Sequence, residues 1–130
     1  MEVKLNDACK EQAQMMKDKG FEPASIPTQL MLIVSELSEA LEADRKGMNA
    51  DVISLENFVR DFDNNPSRTK DIMFCSAFKS YVKDTFEDEI ADAFLRLMNL
   101  CGIMGIDIEK HIKMKAKYNS LRPHKFGKAY

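Results

Sequence analysis

The stretch 86–104, FEDEIADAFLRLMNLCGIM, constrains the fold more than any other part of the chain. Its apolar side chains recur at helical spacing and cover most of the circumference, which is typical of a helix packed inside a bundle. The polar side chains after the first turn share one sector of roughly 80°, at about 100° per residue: Glu89, Asp92, Arg96 and Asn99. Burying carboxylates is unfavourable unless they are paired or bind a metal ion. This stretch therefore predicts a packed helix whose carboxylates either have a function, such as metal binding, or are paired with the other polar side chains of the same face.

Helical periodicity also runs through most of the remaining sequence, and no stretch predicts a β-strand. Besides 86–104, we expect helices at about 4–19, 28–46 and 107–121, with shorter ones around 55–62 and 74–81. Glycines follow three of the longer helices, as expected for C-terminal caps: Gly20, Gly47 and Gly105. The predicted fold class is therefore all-α.

Length and composition favour a single globular domain over residues 1–130, with 45% hydrophobic and 31% charged residues. No apolar run is long enough to span a bilayer, and the N-terminal sequence lacks the apolar core of a signal peptide. Three cysteines without a CxxC motif favour reduced, buried and inert thiols. We therefore expect a cytoplasmic protein without a membrane partner.

A second acidic pair, Glu36 and Glu39 in SELSEALEADRKG, has the same i, i+3 spacing as Glu89 and Asp92. Residues three apart lie on one face of a helix. Two glutamates on a helix are usually solvated, and Glu42, which continues the series, is expected to be so. If the two helices pack antiparallel, however, four carboxylates meet at one seam of a bundle. Such a set favours a hard cation, Mg²⁺ first and Mn²⁺ second.

Charge is distributed unevenly along the chain, with a net −9 over residues 1–109 and +7 over residues 110–130. The stripe of the last helix begins apolar and then becomes polar, at Lys115, Asn119 and Arg122. Lysine offers a point charge and arginine a bidentate fork, both suited to phosphate. A solvated basic helix end, favoured by the helix dipole, has the same pattern.

Taken together, these motifs resemble the MazG-like nucleoside triphosphate pyrophosphohydrolases, an all-α group that includes the dimeric dUTPases. The resemblance covers about residues 25–47 and 85–130. It depends on ExxE, on ExxD and on the C-terminal sequence GIDIEKHIKMKAKYNSLRPHKFGKAY, in that order. It implies a four-helix-bundle type of domain, with an extra helical insertion at 48–84 between the acidic helices and a basic helix and tail at 110–130.

The resemblance also implies an activity and a site. The family cleaves nucleoside triphosphates between the α- and β-phosphates, giving a nucleoside monophosphate and pyrophosphate, and assembles as dimers or dimers of dimers. The implied Mg²⁺-binding and catalytic residues are the four carboxylates, Glu36, Glu39, Glu89 and Asp92. The implied substrate-binding residues are Lys115, Asn119 and Arg122, and we add Lys125 and Lys128 of the basic tail as further candidates. We accordingly expect a homodimer or homotetramer.

Two other classes of function stay open. A nucleic-acid-binding module would use the basic tail, although a body of net charge −9 repels a phosphate backbone and single-strand binders usually add several stacking aromatics. A non-catalytic helical interaction protein would keep its carboxylates for structure, with Arg96 and Asn99 satisfying those of the 86–104 helix.

Overall fold

The computed structural model describes residues 1–62, 64 and 66–129, without the side chains of residues 126 and 127. The described residues form six α-helices, one 3₁₀-helix and no strand, which confirms the all-α class. The last residue of the predicted basic tail, Tyr130, lies outside the described residues. The α-helices are α1 (Asn6–Asp18), α2 (Ile26–Arg45), α3 (Val52–Arg60), α4 (Ser67–Tyr81), α5 (Phe86–Met104) and α6 (Ile108–Ser120), and the 3₁₀-helix is His124–Gly127.

Local sequence signals mark both sides of the turn between α5 and α6. Gly105 follows α5 with a φ of +63°, a left-handed conformation that glycine adopts without a Cβ clash. Asp107 then caps α6, and its side chain accepts a hydrogen bond of 3.2 Å from the backbone N–H of Lys110. The predicted end of the 86–104 helix at Gly105 is therefore confirmed.

The chain divides into two compact units, each of which is described by itself: a first unit of Met1–Gln29 and Leu95–Tyr130, and a second unit of Leu30–Phe94. The proposal of one domain over 1–130, with 48–84 as an insertion, stays a prediction.

In the second unit, α3 and α4 pack against each other, and the two ends of the 48–84 stretch lie together. The backbone N–H of Asp51 donates to the carbonyl of Tyr81 at 2.8 Å, and that of Phe86 donates to the carbonyl of Met48 at 2.8 Å. These hydrogen bonds close the stretch at its base, directly before α5 begins.

In the first unit, α1 and α5 approach each other closely at Gly102. A Cβ at this position would lie 2.2 Å from the backbone oxygen of Cys9, so no other residue fits without movement. The thiols of Cys9 and Cys101 share a hydrogen bond there, and burial raises the pKa of Cys101. Cys75, by contrast, is exposed, so the prediction of three buried thiols is wrong for this residue.

Large apolar side chains remain exposed on both helices that carry the acidic motifs. On α2, the stripe Leu30, Val34, Leu37 and Leu41 is 46–51% exposed. On α5, Phe94 is 60% exposed, so the expectation that this helix is buried nearly all round is correct only in part. None of the described helices combines the length and apolar character needed to cross a membrane.

Candidate metal centre

Three carboxylates from two helices of the second unit form one tight cluster. Glu36 comes from α2, and Glu89 and Asp92 come from α5; one oxygen of each lies within 4.8 Å of the others. Glu36 is 8% exposed and Glu89 is 6% exposed, while Asp92 is partly buried. The sequence-based expectation that the two acidic helices bring their carboxylates together thus agrees with this geometry for these three residues.

The buried face of α2 explains how Glu36 reaches the cluster. This face consists of Ile33, Glu36, Ala40 and Ala43, at heptad-like spacings of three and four residues. It lies roughly 110° around the helix from the leucine stripe, at about 100° per residue. Glu36 lies on this buried face, and from there its carboxylate reaches the cluster.

The start of α5 orients the other two carboxylates. Thr85 is buried, and its hydroxyl donates to the carbonyl of Val82 at 2.6 Å and accepts from the backbone N–H of Asp88 at 3.4 Å. Thr85 is thus the N-terminal capping residue of α5. With the first turn held in this way, Glu89 and Asp92 project from successive turns on one face.

The electrostatics of the cluster centre on Glu89. Burial first, and then a hydrogen bond to Glu39 and the neighbouring negative charges, together raise the pKa of its carboxyl group to about 7. The physical cause is that a buried carboxylate among other carboxylates is stabilised by keeping its proton. The protonated Glu89 carboxyl therefore donates this hydrogen bond to Glu39.

Glu39 is the predicted ligand that lies beside the three-carboxylate cluster. Its side chain is exposed, but it is directly hydrogen-bonded to Glu89. Asp84 and Asp88 form a second acidic group with Glu89, which sequence reasoning did not identify. Asp84 has a φ of +63°, and its backbone N–H donates to Asp88 at 2.9 Å. The i, i+4 spacing of these two aspartates is the feature of the sequence from which this second acidic group could have been predicted.

The cluster has dimensions that suit one hard cation. Metal–oxygen distances of about 2.0–2.6 Å place oxygens on opposite sides of Mg²⁺ or Ca²⁺ about 4–5 Å apart. The three carboxylate oxygens lie within 4.8 Å of one another. Glu36, Glu89 and Asp92 could therefore hold a metal ion with little side-chain movement.

The predicted substrate-binding residues belong to the first unit. Lys115 and Arg122 both approach the ring of Tyr118, at 5.1 Å and 5.6 Å from its centroid. The side-chain oxygen of Asn119 is buried without a hydrogen-bond partner in the described part of the chain. The structure thus gathers three of these residues on one stretch of α6 and its C-terminal end.

Lys125 and Lys128 are exposed beyond α6, and Lys125 has a φ of +51°. Among the described residues, the Tyr118 ring gathers Lys115 and Arg122 but neither of these two lysines. On α5, the side-chain oxygen of Asn99 is buried and has no hydrogen-bond partner among the described residues.

Comparisons of the chain with family models, with curated proteins and with solved structures found no match.

Proposed function

We propose that the chain is a Mg²⁺-dependent nucleoside triphosphate pyrophosphohydrolase of the MazG-like type, which cleaves the α–β phosphoanhydride to a nucleoside monophosphate and pyrophosphate. The observation that carries the proposal is the gathering of three largely buried carboxylates from two helices within 4.8 Å. The order of the ExxE and ExxD motifs and the basic C-terminal helix support it through the family resemblance.

Glu36, Glu89 and Asp92 would hold the metal, with Glu39 directly beside them. When bound, Mg²⁺ supplies Lewis-acid charge at a phosphate oxygen and a bound water of lowered pKa. The carboxylates of the chain must be ionised to act as ligands. Because Glu89 has a pKa of about 7, its carboxyl group is about half protonated near neutral pH, and the protonated fraction must release its proton when a cation binds.

The basic side chains of α6 are proposed to contact the phosphates of the substrate. A lysine ammonium and an arginine guanidinium give charge-assisted hydrogen bonds to phosphate oxygens, which are about twice as strong as neutral ones. Their contribution is greatest where negative charge develops on the departing pyrophosphate.

Assembly into at least a dimer is part of the proposal. The exposed apolar side chains of α2 and α5, such as Leu37 at 49% and Phe94 at 60%, support it because large exposed apolar patches commonly mark protein interfaces. Light scattering at micromolar concentration is expected to give a multiple of the 14.9 kDa chain mass. The double variant Leu37→Gln/Phe94→Gln should dissociate, whereas Met114→Gln, a matched exposed residue of α6, should not. A monomeric wild-type protein contradicts this part of the proposal.

The activity is tested with a panel of nucleoside triphosphates in the presence of Mg²⁺, with pyrophosphate and orthophosphate measured separately. We expect release of pyrophosphate in equimolar amount with the nucleoside monophosphate, and loss of activity with EDTA. Release of orthophosphate and a nucleoside diphosphate would place the cleavage at the wrong bond. No turnover of any of the common ribo- or deoxyribonucleotides would contradict the proposal.

One observation favours a second candidate, a non-catalytic helical interaction protein. The hydrogen bond between Glu89 and Glu39 already satisfies a protonated carboxyl group without a metal ion. Thermal unfolding across a Mg²⁺ titration separates the two candidates, because a ligand that binds the native state alone raises the unfolding temperature. An unchanged unfolding temperature up to millimolar Mg²⁺ favours the structural role.

A further inference from the structure

One aromatic ring on α6 lies within reach of two cations. The ammonium nitrogen of Lys115 is 5.1 Å from the centroid of the Tyr118 ring, and the guanidinium carbon of Arg122 is 5.6 Å from it. Both distances are inside the limit of about 6 Å for a cation–π interaction. Tyr118 is 57% exposed, so a solute in water reaches the ring and its surroundings directly.

Local chain positions explain why both cations reach the ring. Lys115 precedes Tyr118 by three residues on α6, a separation that brings side chains together on a helix surface, and Arg122 lies in the bend just after the helix ends at Ser120. Two cations held at one ring repel each other, and an anion that contacts both relieves that repulsion. The face of the ring attracts each cation, so it offsets part of the repulsion while no anion is bound.

A held side chain binds an anion more tightly than a free one. Lysine and arginine side chains lose much rotamer freedom when they are ordered, and ordering them at an interface costs binding free energy. A ring that already restricts both side chains removes part of this cost.

We propose that Tyr118 is a positioning residue that holds Lys115 and Arg122 in place to bind a diphosphate group. The inference rests on the proposed function for the identity of the anion, and it assigns to Tyr118 a role that the family resemblance did not. A diphosphate group occurs both in free pyrophosphate and in the phosphate chain of a nucleotide, and the experiment addresses the two sources separately.

The first arm measures binding of inorganic pyrophosphate by calorimetry in EDTA, without metal or nucleotide. Tyr118→Leu should weaken binding by about 5- to 30-fold, from the loss of two cation–π contacts. Tyr118→Phe keeps the ring and should stay within about twofold of wild type. Phe21→Leu, which removes an exposed aromatic side chain elsewhere in the first unit, is the matched control and should have no effect. Tyr118→Gln replaces the leucine variant if that variant aggregates.

The second arm measures the same variants with nucleotides, using nucleoside monophosphate binding and steady-state hydrolysis. We expect Tyr118→Leu to raise KM for the triphosphate more than it lowers kcat, and to leave monophosphate binding nearly unchanged. Weakened monophosphate binding of the same size as weakened pyrophosphate binding would overturn the diphosphate assignment, because the ring would then act on the nucleoside.

The outcomes separate this inference from the proposed function. Wild-type binding of pyrophosphate by Tyr118→Leu, or equal losses in Tyr118→Leu and Tyr118→Phe, overturns the positioning role even if hydrolysis occurs. Absence of hydrolysis together with ring-dependent pyrophosphate binding contradicts the hydrolase proposal and retains the role of Tyr118.

Discussion

The acidic cluster of the second unit (Glu36, Glu89 and Asp92) and the basic cluster of the first unit (Lys115 and Arg122 at the Tyr118 ring) each bring like charges together. The acidic cluster is largely buried, whereas the ring of the basic cluster is exposed. Glu89, in the acidic cluster, is 6% exposed, and its pKa rises to about 7. Tyr118, at the centre of the basic cluster, is 57% exposed. In a buried setting, repulsion is relieved by taking up a proton or a cation; in an exposed setting, water and a neighbouring ring suffice. The difference predicts that a bound cation would change the electrostatic energy of the acidic cluster more than that of the basic cluster.

The largest expected effect comes from removing a carboxylate of the metal site. Asp92→Ala and Glu39→Ala should each lower Mg²⁺-dependent turnover by at least ~10², because metal-ion catalysis stabilises transition-state charge by several kcal/mol. The matched control is Glu42→Gln. Glu42 is an exposed carboxylate on α2 that forms a surface ion pair with Lys46. Pyrophosphate release measures turnover, and circular dichroism checks that the variants are folded. Turnover near that of wild type in both alanine variants would exclude a catalytic role for the cluster.

The second prediction concerns the pH dependence of metal-free stability. The folded-state pKa of Glu89, about 7, lies above its ordinary value of 4.5, so the native state binds the proton more tightly than the unfolded state does. The stabilisation is therefore complete below about pH 4.5 and is lost as the pH rises through 7, by up to about 3 kcal/mol.

Urea unfolding in EDTA at pH 5 and pH 8, compared between wild type and Glu89→Gln, measures this effect. The glutamine variant should lack the part of the pH dependence due to Glu89, since its side chain does not titrate. Mg²⁺ should bind more tightly at pH 8 than at pH 6, because it competes with the proton for the carboxylate. The same pH dependence in both proteins would show that Glu89 titrates at its ordinary pKa.

The basic cluster should respond to substitution more moderately. Lys115→Ala and Arg122→Ala are each expected to lower kcat/KM by about 10- to 150-fold, which corresponds to about 1.5–3 kcal/mol for a charged hydrogen bond. Mg²⁺ binding in the absence of nucleotide should change far less, because neither residue is a proposed ligand. Lys10→Ala on α1 is the control. Equal effects in all three variants would show that the basic cluster is only a solvated basic face without a role in substrate binding.

Salt should give the smallest effect and the sharpest contrast between the clusters. Exposed charges are screened within about 10 Å at 0.1 M salt and about 3 Å at 1 M, whereas buried charges are screened much less. Raising the salt from about 0.05 to 0.5 M should weaken pyrophosphate binding about 3- to 10-fold while the Glu89 titration midpoint shifts by less than about 0.3 pH units. An equal salt response in both clusters would show that the acidic cluster is solvated rather than buried.

Periodicity in the sequence was sufficient to predict the four longer helices with their ends to within about two residues, whereas α4 begins at Ser67, well before the expected start near 74. The described α5 spans Phe86–Met104, as expected, and Asp107 caps the next helix through the backbone of Lys110. These features are local, because a cap, a glycine and an apolar period act within one or two turns of the chain. Even the acidic pair on α5 was identified from its own helix, since carboxylates on an otherwise apolar face need compensation.

Only the tertiary structure decided which face of each helix meets a neighbour. The sequence of α2 offers the leucine stripe as the obvious core face, yet the structure leaves Leu37 49% exposed and buries Glu36 with Ala40. The gathering of Tyr118 with two cations likewise depends on side-chain placement and not on residue type. The physical reason is that periodicity specifies which residues share a face, whereas burial depends on what packs against that face, and distant segments of the chain decide that.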